Sequence, residues 1–69
     1  MPVVQLTIQE GRTQEQIRRT IEGISDVICR ELNVEAGMIT ILVTELPATH
    51  IGKDGTTIAE MKKKAEKQP

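Results

Sequence analysis

The sequence predicts an α+β fold: a β-α-β unit with two parallel strands and one long helix, then a C-terminal hairpin, with two copies joining into a four-stranded sheet. Three observations carry this expectation. Val3 to Ile8 alternate between two faces. Apolar residues then recur at intervals of 4, 3, 4 and 4 from Ile17 to Leu32. A second alternating run occupies Met38 to Glu45. Strands joined through a helix of this length run parallel, with a right-handed crossover.

The first strand places Val4, Leu6 and Ile8 on one face and Val3, Gln5 and Thr7 on the other. It opens at residue 2 or 3, so the start of the chain is expected within the sheet. Gln9-Glu10-Gly11-Arg12 turns the chain. Thr13-Gln14-Glu15-Gln16 reads as a capping box, a Thr N-cap with Gln three residues on. Ile17, Ile21, Ile24, Ile28 and Leu32 form the buried stripe of a helix from Thr13 to Leu32, and Arg18, Arg19, Glu22 and Asp26 lie opposite. Gly23 inside this helix costs roughly 1 kcal/mol against Ala, which predicts a backbone packed closely there. Cys29, beside the stripe, is expected to be a small buried hydrophobe. Asn33 and Gly37 mark the exit.

In the second strand Ile39, Ile41 and Val43 share a face, and Leu42 on the other face asks for cover there too. Pro47 ends it. Asp54-Gly55 signals a two-residue hairpin turn, because that turn needs positive φ. Ala59 to Lys67 is helix-prone, and its Lys62, Lys63, Lys64 and Lys67 read as a solvated face.

Composition limits what the chain can be. Its 69 residues fit one domain, residues 1–69, and include 18 Val, Ile and Leu but no Phe, Tyr or Trp. The single Cys excludes an internal disulfide and a Cys-based zinc site. So small an apolar store, without disulfide or metal, leaves oligomerisation as the means of stabilisation. An isolated strand pair is itself hardly stable. A net charge of −1 and the absence of aromatic rings argue against nucleic acid as a partner. No apolar run approaches the roughly 18 residues of a membrane span, and no signal-peptide pattern is present. The expectation is a soluble cytoplasmic protein with no membrane partner.

Taken in order, several fragments resemble one family along nearly the whole chain. They are Met1-Pro2 opening the first strand, Glu10-Gly11-Arg12 followed by Thr13-Gln14-Glu15-Gln16, Thr44-Glu45 closing the second strand, and His50-Ile51-Gly52 before a Gly-containing hairpin. The chain resembles the short-subunit, 4-oxalocrotonate tautomerase subgroup of the tautomerase superfamily. The resemblance implies a cofactor-independent isomerase with the tautomerase fold, assembled as a homohexamer, a trimer of dimers, with no metal.

It also implies that Pro2 becomes N-terminal once Met1 is removed and acts as the catalytic base and then acid. Read from position alone, Pro2 is an edge-strand opener with no donor to waste. As a free secondary amine, its pKa falls where burial and nearby arginines disfavour the protonated form. A base poised near neutrality suits proton transfer beside a carbonyl. Arg12 matches the family arginine that holds a substrate carboxylate in a neighbouring subunit's site, a task suited to a planar guanidinium. Read alone, it is a solvated turn arginine, though a helix start does not favour a cation.

Two positions depart from the family. Thr40 stands where muconate-type tautomerases carry a second arginine, which helps hold enolate charge. Ile51 stands where they carry an aromatic residue. Both are expected to shape the pocket. The substrate implied is a small 2-hydroxy-dienoate or 2-keto acid. Alternatives are hydratase, dehalogenase or decarboxylase chemistry with a protonated Pro2, or a weakly active subunit of a hetero-oligomer. His50 is read as structural, Glu10 and Glu45 as turn and strand-end residues, and Lys53 as a minor candidate for the missing charge.

Overall fold

The computed structural model describes residues 1–67; the side chains of Glu66 and Lys67 and all of residues 68 and 69 lie outside the description. Strand β1 spans Val3–Gln9, helix α1 Gln14–Leu32, and strand β2 Thr40–Leu46. A hairpin of β3 (Gly52–Lys53) and β4 (Thr56–Thr57) leads into helix α2, Ile58–Lys67. Strands β1 and β2 are parallel, with Val4 opposite Ile41 and Leu6 opposite Val43. Those four residues and Ile8 are half-buried, whereas Val3, Gln5, Thr7, Leu42 and Thr44 are exposed.

The expected local signals are realised. Thr13 N–H donates to Gln16 Oε1 (2.9 Å), and Gln16 N–H donates to Thr13 Oγ1 (3.1 Å), closing the capping box. Asn33 ends α1 in the left-handed region at φ 54°. Asp54 and Gly55 carry φ of 54° and 79°, the pair of positive values that a tight hairpin turn demands. The exposed face of α1 is cross-linked: Glu15 accepts from Arg18 and Arg19, and Arg18 also reaches Glu22. Hydrogen bonding from Arg18 holds the Glu15 carboxyl below its ordinary pKa and raises that of Arg18 in return.

Some expectations change. The second strand begins at Thr40, not Met38, because Ala36–Met38 close a 3-10 turn in which Ile39 N–H donates to Ala36 C=O. Its last residue is Leu46, one beyond Glu45. A Cβ at Gly23 meets nothing within 4 Å, so no backbone of the same chain packs there. Cys29 is only half-buried. Leu32, at the end of the helix stripe, is 60% exposed.

The open space at Gly23 and the exposure of Cys29 and Leu32 share one cause. Among the described residues none is buried. The chain exposes 5641 Å², against about 4,300 Å² for a compact monomer of its 7.7 kDa mass. Its Cα radius of gyration is 16.3 Å, where about 11 Å is usual for 69 residues. One helix cannot cover both faces of a sheet. Among the described residues no helix is long and apolar enough to cross a membrane. Sedimentation at micromolar concentration should therefore show only species larger than a monomer. A stable, folded monomer there would contradict this account.

Candidate active site

Pro2 and Thr40 lie together where the parallel strands begin. Thr40 N–H donates to Pro2 C=O at 3.0 Å, and both residues are half-buried. The bond uses the proline's carbonyl and leaves its nitrogen uninvolved. Thr40 sits opposite Val3, the first residue of β1. Parallel pairing thus fixes the position of the ring relative to the first residue of the second strand.

Arg12 lies beyond the other end of β1. Gly11 takes φ 118° to turn the chain, and Glu10 N–H donates to Leu46 C=O at 2.8 Å, tying this turn to the end of β2. The seven residues of β1 at about 3.3 Å each separate the two ends by on the order of 20 Å. No arginine side chain spans that gap. Ile51 is half-buried and follows a 3-10 turn at Ala48–His50, beyond the end of β2. Its C=O accepts from Ile58 N–H at 2.9 Å. The structure therefore brings Pro2 and Thr40 together, and places Arg12 and Ile51 past the opposite ends of the strands.

The other singled-out side chains are peripheral. His50 is exposed, with Nδ1 2.9 Å from Thr49 Oγ1. Glu10, Glu45 and Lys53 are exposed. Among the described residues no group of His, Cys, Asp and Glu could hold a metal ion.

Two hollows flank Arg12. One, about 390 Å³, is floored by Leu6, Ile8, Val43 and Ile17 and rimmed by Arg12 and Arg19. It is the gap between the sheet and the first turns of α1. The other, about 270 Å³, is lined by Gln9, Glu10, Gly11, Arg12 and Lys62. Lys62 is exposed, as expected of a solvated helix face, and lines the same hollow as Arg12.

The structure is thus a parallel β-α-β unit with a proline opening its first strand and an arginine in the turn that follows. The family model described as Tautomerase enzyme matches residues 2–61. The chain belongs to the tautomerase family and is an enzyme of the tautomerase, or isomerase, type. It is 33% identical over 63 residues to a 2-hydroxymuconate tautomerase of Pseudomonas sp. (strain CF600), covering 91% of this chain and 100% of that one. A solved 4-oxalocrotonate tautomerase isozyme from Methylibium petroleiphilum superposes with a TM-score of 0.85 at 36% identity, covering 93% of this chain and 98% of the other. A heterohexameric 4-oxalocrotonate tautomerase from Chloroflexus aurantiacus J-10-fl gives 0.84 at 26% identity, over 88% and 98%.

Proposed function

We propose that this tautomerase interconverts the keto and enol forms of a small 2-hydroxy-dienoate or 2-keto acid, with Pro2, freed of Met1, as the proton-transfer group. The observation that supports the reading is a half-buried Pro2 at the strand start, held to Thr40 through its carbonyl, in a chain whose residues 2–61 match the tautomerase family. Removal of Met1 turns the Pro2 nitrogen from an amide into a secondary amine. Its neutral form takes a proton from the carbon beside a carbonyl, leaving an enolate. The resulting ammonium returns that proton to the enolate oxygen or to a conjugated carbon. No cofactor enters this cycle.

Arg12 holds a substrate carboxylate, and it does so for the site of another subunit, since its own Pro2 lies on the order of 20 Å away by strand geometry. Thr40 and Ile51 shape the pocket. Thr40 offers a hydroxyl where an arginine would stabilise enolate charge, a difference worth a few kcal/mol of barrier. The assembly proposed is a homohexamer, a trimer of dimers, with residues 1–69 as one domain in the cytoplasm. In each dimer two sheets of two strands become one of four.

A second reading is a hetero-oligomer in which this chain is paired with another tautomerase chain. Thr40 favours it, as does the fold similarity to a heterohexameric enzyme. Assay of the purified chain alone separates the two, because a homo-oligomer needs no partner.

Pro2→Ala leaves a primary, more mobile terminal amine. It should lower kcat/KM for ketonisation of a simple 2-hydroxy-dienoate ten-fold or more, about 1.4 kcal/mol. In the unsubstituted enzyme the rate should follow a group titrating near neutrality. Unchanged activity and pH profile in the variant would refute the role.

Arg12→Ala should mainly raise KM for carboxylate substrates, by about 10- to 150-fold, the worth of a charge-assisted hydrogen bond at roughly 1.5–3 kcal/mol. Thr40→Arg should raise kcat on a dicarboxylate dienoate more than on a monocarboxylate. A folded, assembled Thr40→Arg variant with no such gain would show that the missing arginine does not limit this chain.

A further inference from the structure

We propose that Lys62 is a second substrate-binding residue, its ammonium joining the Arg12 guanidinium on one carboxylate of the substrate. The proposal rests on the reading of Arg12 as the carboxylate anchor. It adds a residue just beyond the segment that matches the family, which ends at residue 61.

The start of α2 is firmly tied. Ile58 N–H donates to Ile51 C=O (2.9 Å), Glu60 N–H donates to Thr57 Oγ1 (3.1 Å), and Thr56 Oγ1 donates to Glu60 Oε2 (2.7 Å). These bonds fix the direction in which the helix leaves the hairpin. One turn on, the exposed Lys62 lines an open surface cleft of about 270 Å³ together with Gln9, Glu10, Gly11 and the exposed Arg12. The cleft floor is open at Gly11, where an added Cβ would meet nothing within 4 Å.

Charge decides what this cleft accepts. It contains Arg12, Lys62 and Glu10 as its charged residues. Arg12 and Glu10 cancel formally, so Lys62 is the residue that leaves it positive by one unit, matched to one carboxylate. Among the described residues neither cation is engaged elsewhere, whereas Arg18, Arg19 and Arg30 are each paired with a glutamate. The chemistry of the two is complementary. A guanidinium occupies two of the roughly four lone-pair positions of a carboxylate, and a compact ammonium with rotating donors takes another. Lys63, about 100° further round the helix, does not line the cleft.

The test uses the assembled protein and needs no turnover. Binding of adipate, a dicarboxylate that undergoes no keto–enol exchange, is measured by calorimetry for the unsubstituted protein and for Lys62→Gln, Lys62→Arg, Lys63→Gln and Arg12→Ala. Lys62→Gln should weaken binding five-fold or more. Lys62→Arg and Lys63→Gln should stay within two-fold. With substrate, Lys62→Gln should raise KM and leave kcat within two-fold, a split that a merely structural role would not give. Equal losses for Lys62→Gln and Lys63→Gln, no loss for Lys62→Gln, or no adipate binding by the unsubstituted protein would each overturn the proposal. If Arg12→Ala weakens adipate binding and Lys62→Gln does not, only the role of Lys62 fails. If Arg12→Ala has no effect, the anchor itself fails.

Discussion

A two-stranded parallel sheet has two faces and two edges, and this chain has one long helix to set against them. The helix covers one face in part, through Val4, Leu6, Ile8, Ile41 and Val43, and none of these is fully shielded. The other face leaves Val3 54% and Leu42 47% exposed. Apolar burial is the main favourable term in folding, so a chain with no buried residue among those described has its main stabilisation still to come. A second copy that extends the sheet pairs one open edge and covers apolar surface at once. The rest of the molecule is organised around that need.

The division of the site follows from the same geometry. Parallel strands put the beginnings of both at one end, which is why Pro2 and Thr40 meet. They put the ends of both, and the turns that follow, at the other, which is why Arg12 and Ile51 lie there. No rearrangement of side chains brings these pairs together within one chain, because the length of β1 separates them. In the assembly proposed above, one subunit presents the proline end and another the arginine end, so that stability and catalysis would rest on the same contacts between subunits.

The backbone was largely legible in the sequence, because its signals are local. The period of two in Val3 to Ile8, the Ile17 to Ile28 stripe, the Thr13–Gln16 box and the Asp54-Gly55 turn each act within a few residues, and each appears where its pattern lies. The misplaced features have two sources. Met38 has the look of a strand residue, but a local 3-10 turn takes it. Gly23 implies a close backbone, and none comes from its own chain. Pro2, Arg12, Thr40 and Ile51 stand out as candidates only through a family resemblance, since a proline at a strand start and an arginine in a turn are ordinary on their own. Lys62 lines the same hollow as Arg12, fifty residues earlier in the chain, and periodicity carries no trace of it.

The central claim is that one catalytic site takes Pro2 from one subunit and Arg12 from another. Mixing two impaired variants tests it directly. Pro2→Ala and Arg12→Ala chains are unfolded together, refolded at equal amounts and assayed beside each variant refolded alone. Random assembly gives about one site in four with both residues intact, each being present with a chance of about one half, so the rate at substrate well below KM should rise towards a quarter of the unsubstituted level. Activity that stays at the mean of the two separate variants, in mixtures shown to be co-assembled, would place both residues in one subunit's site and contradict the account.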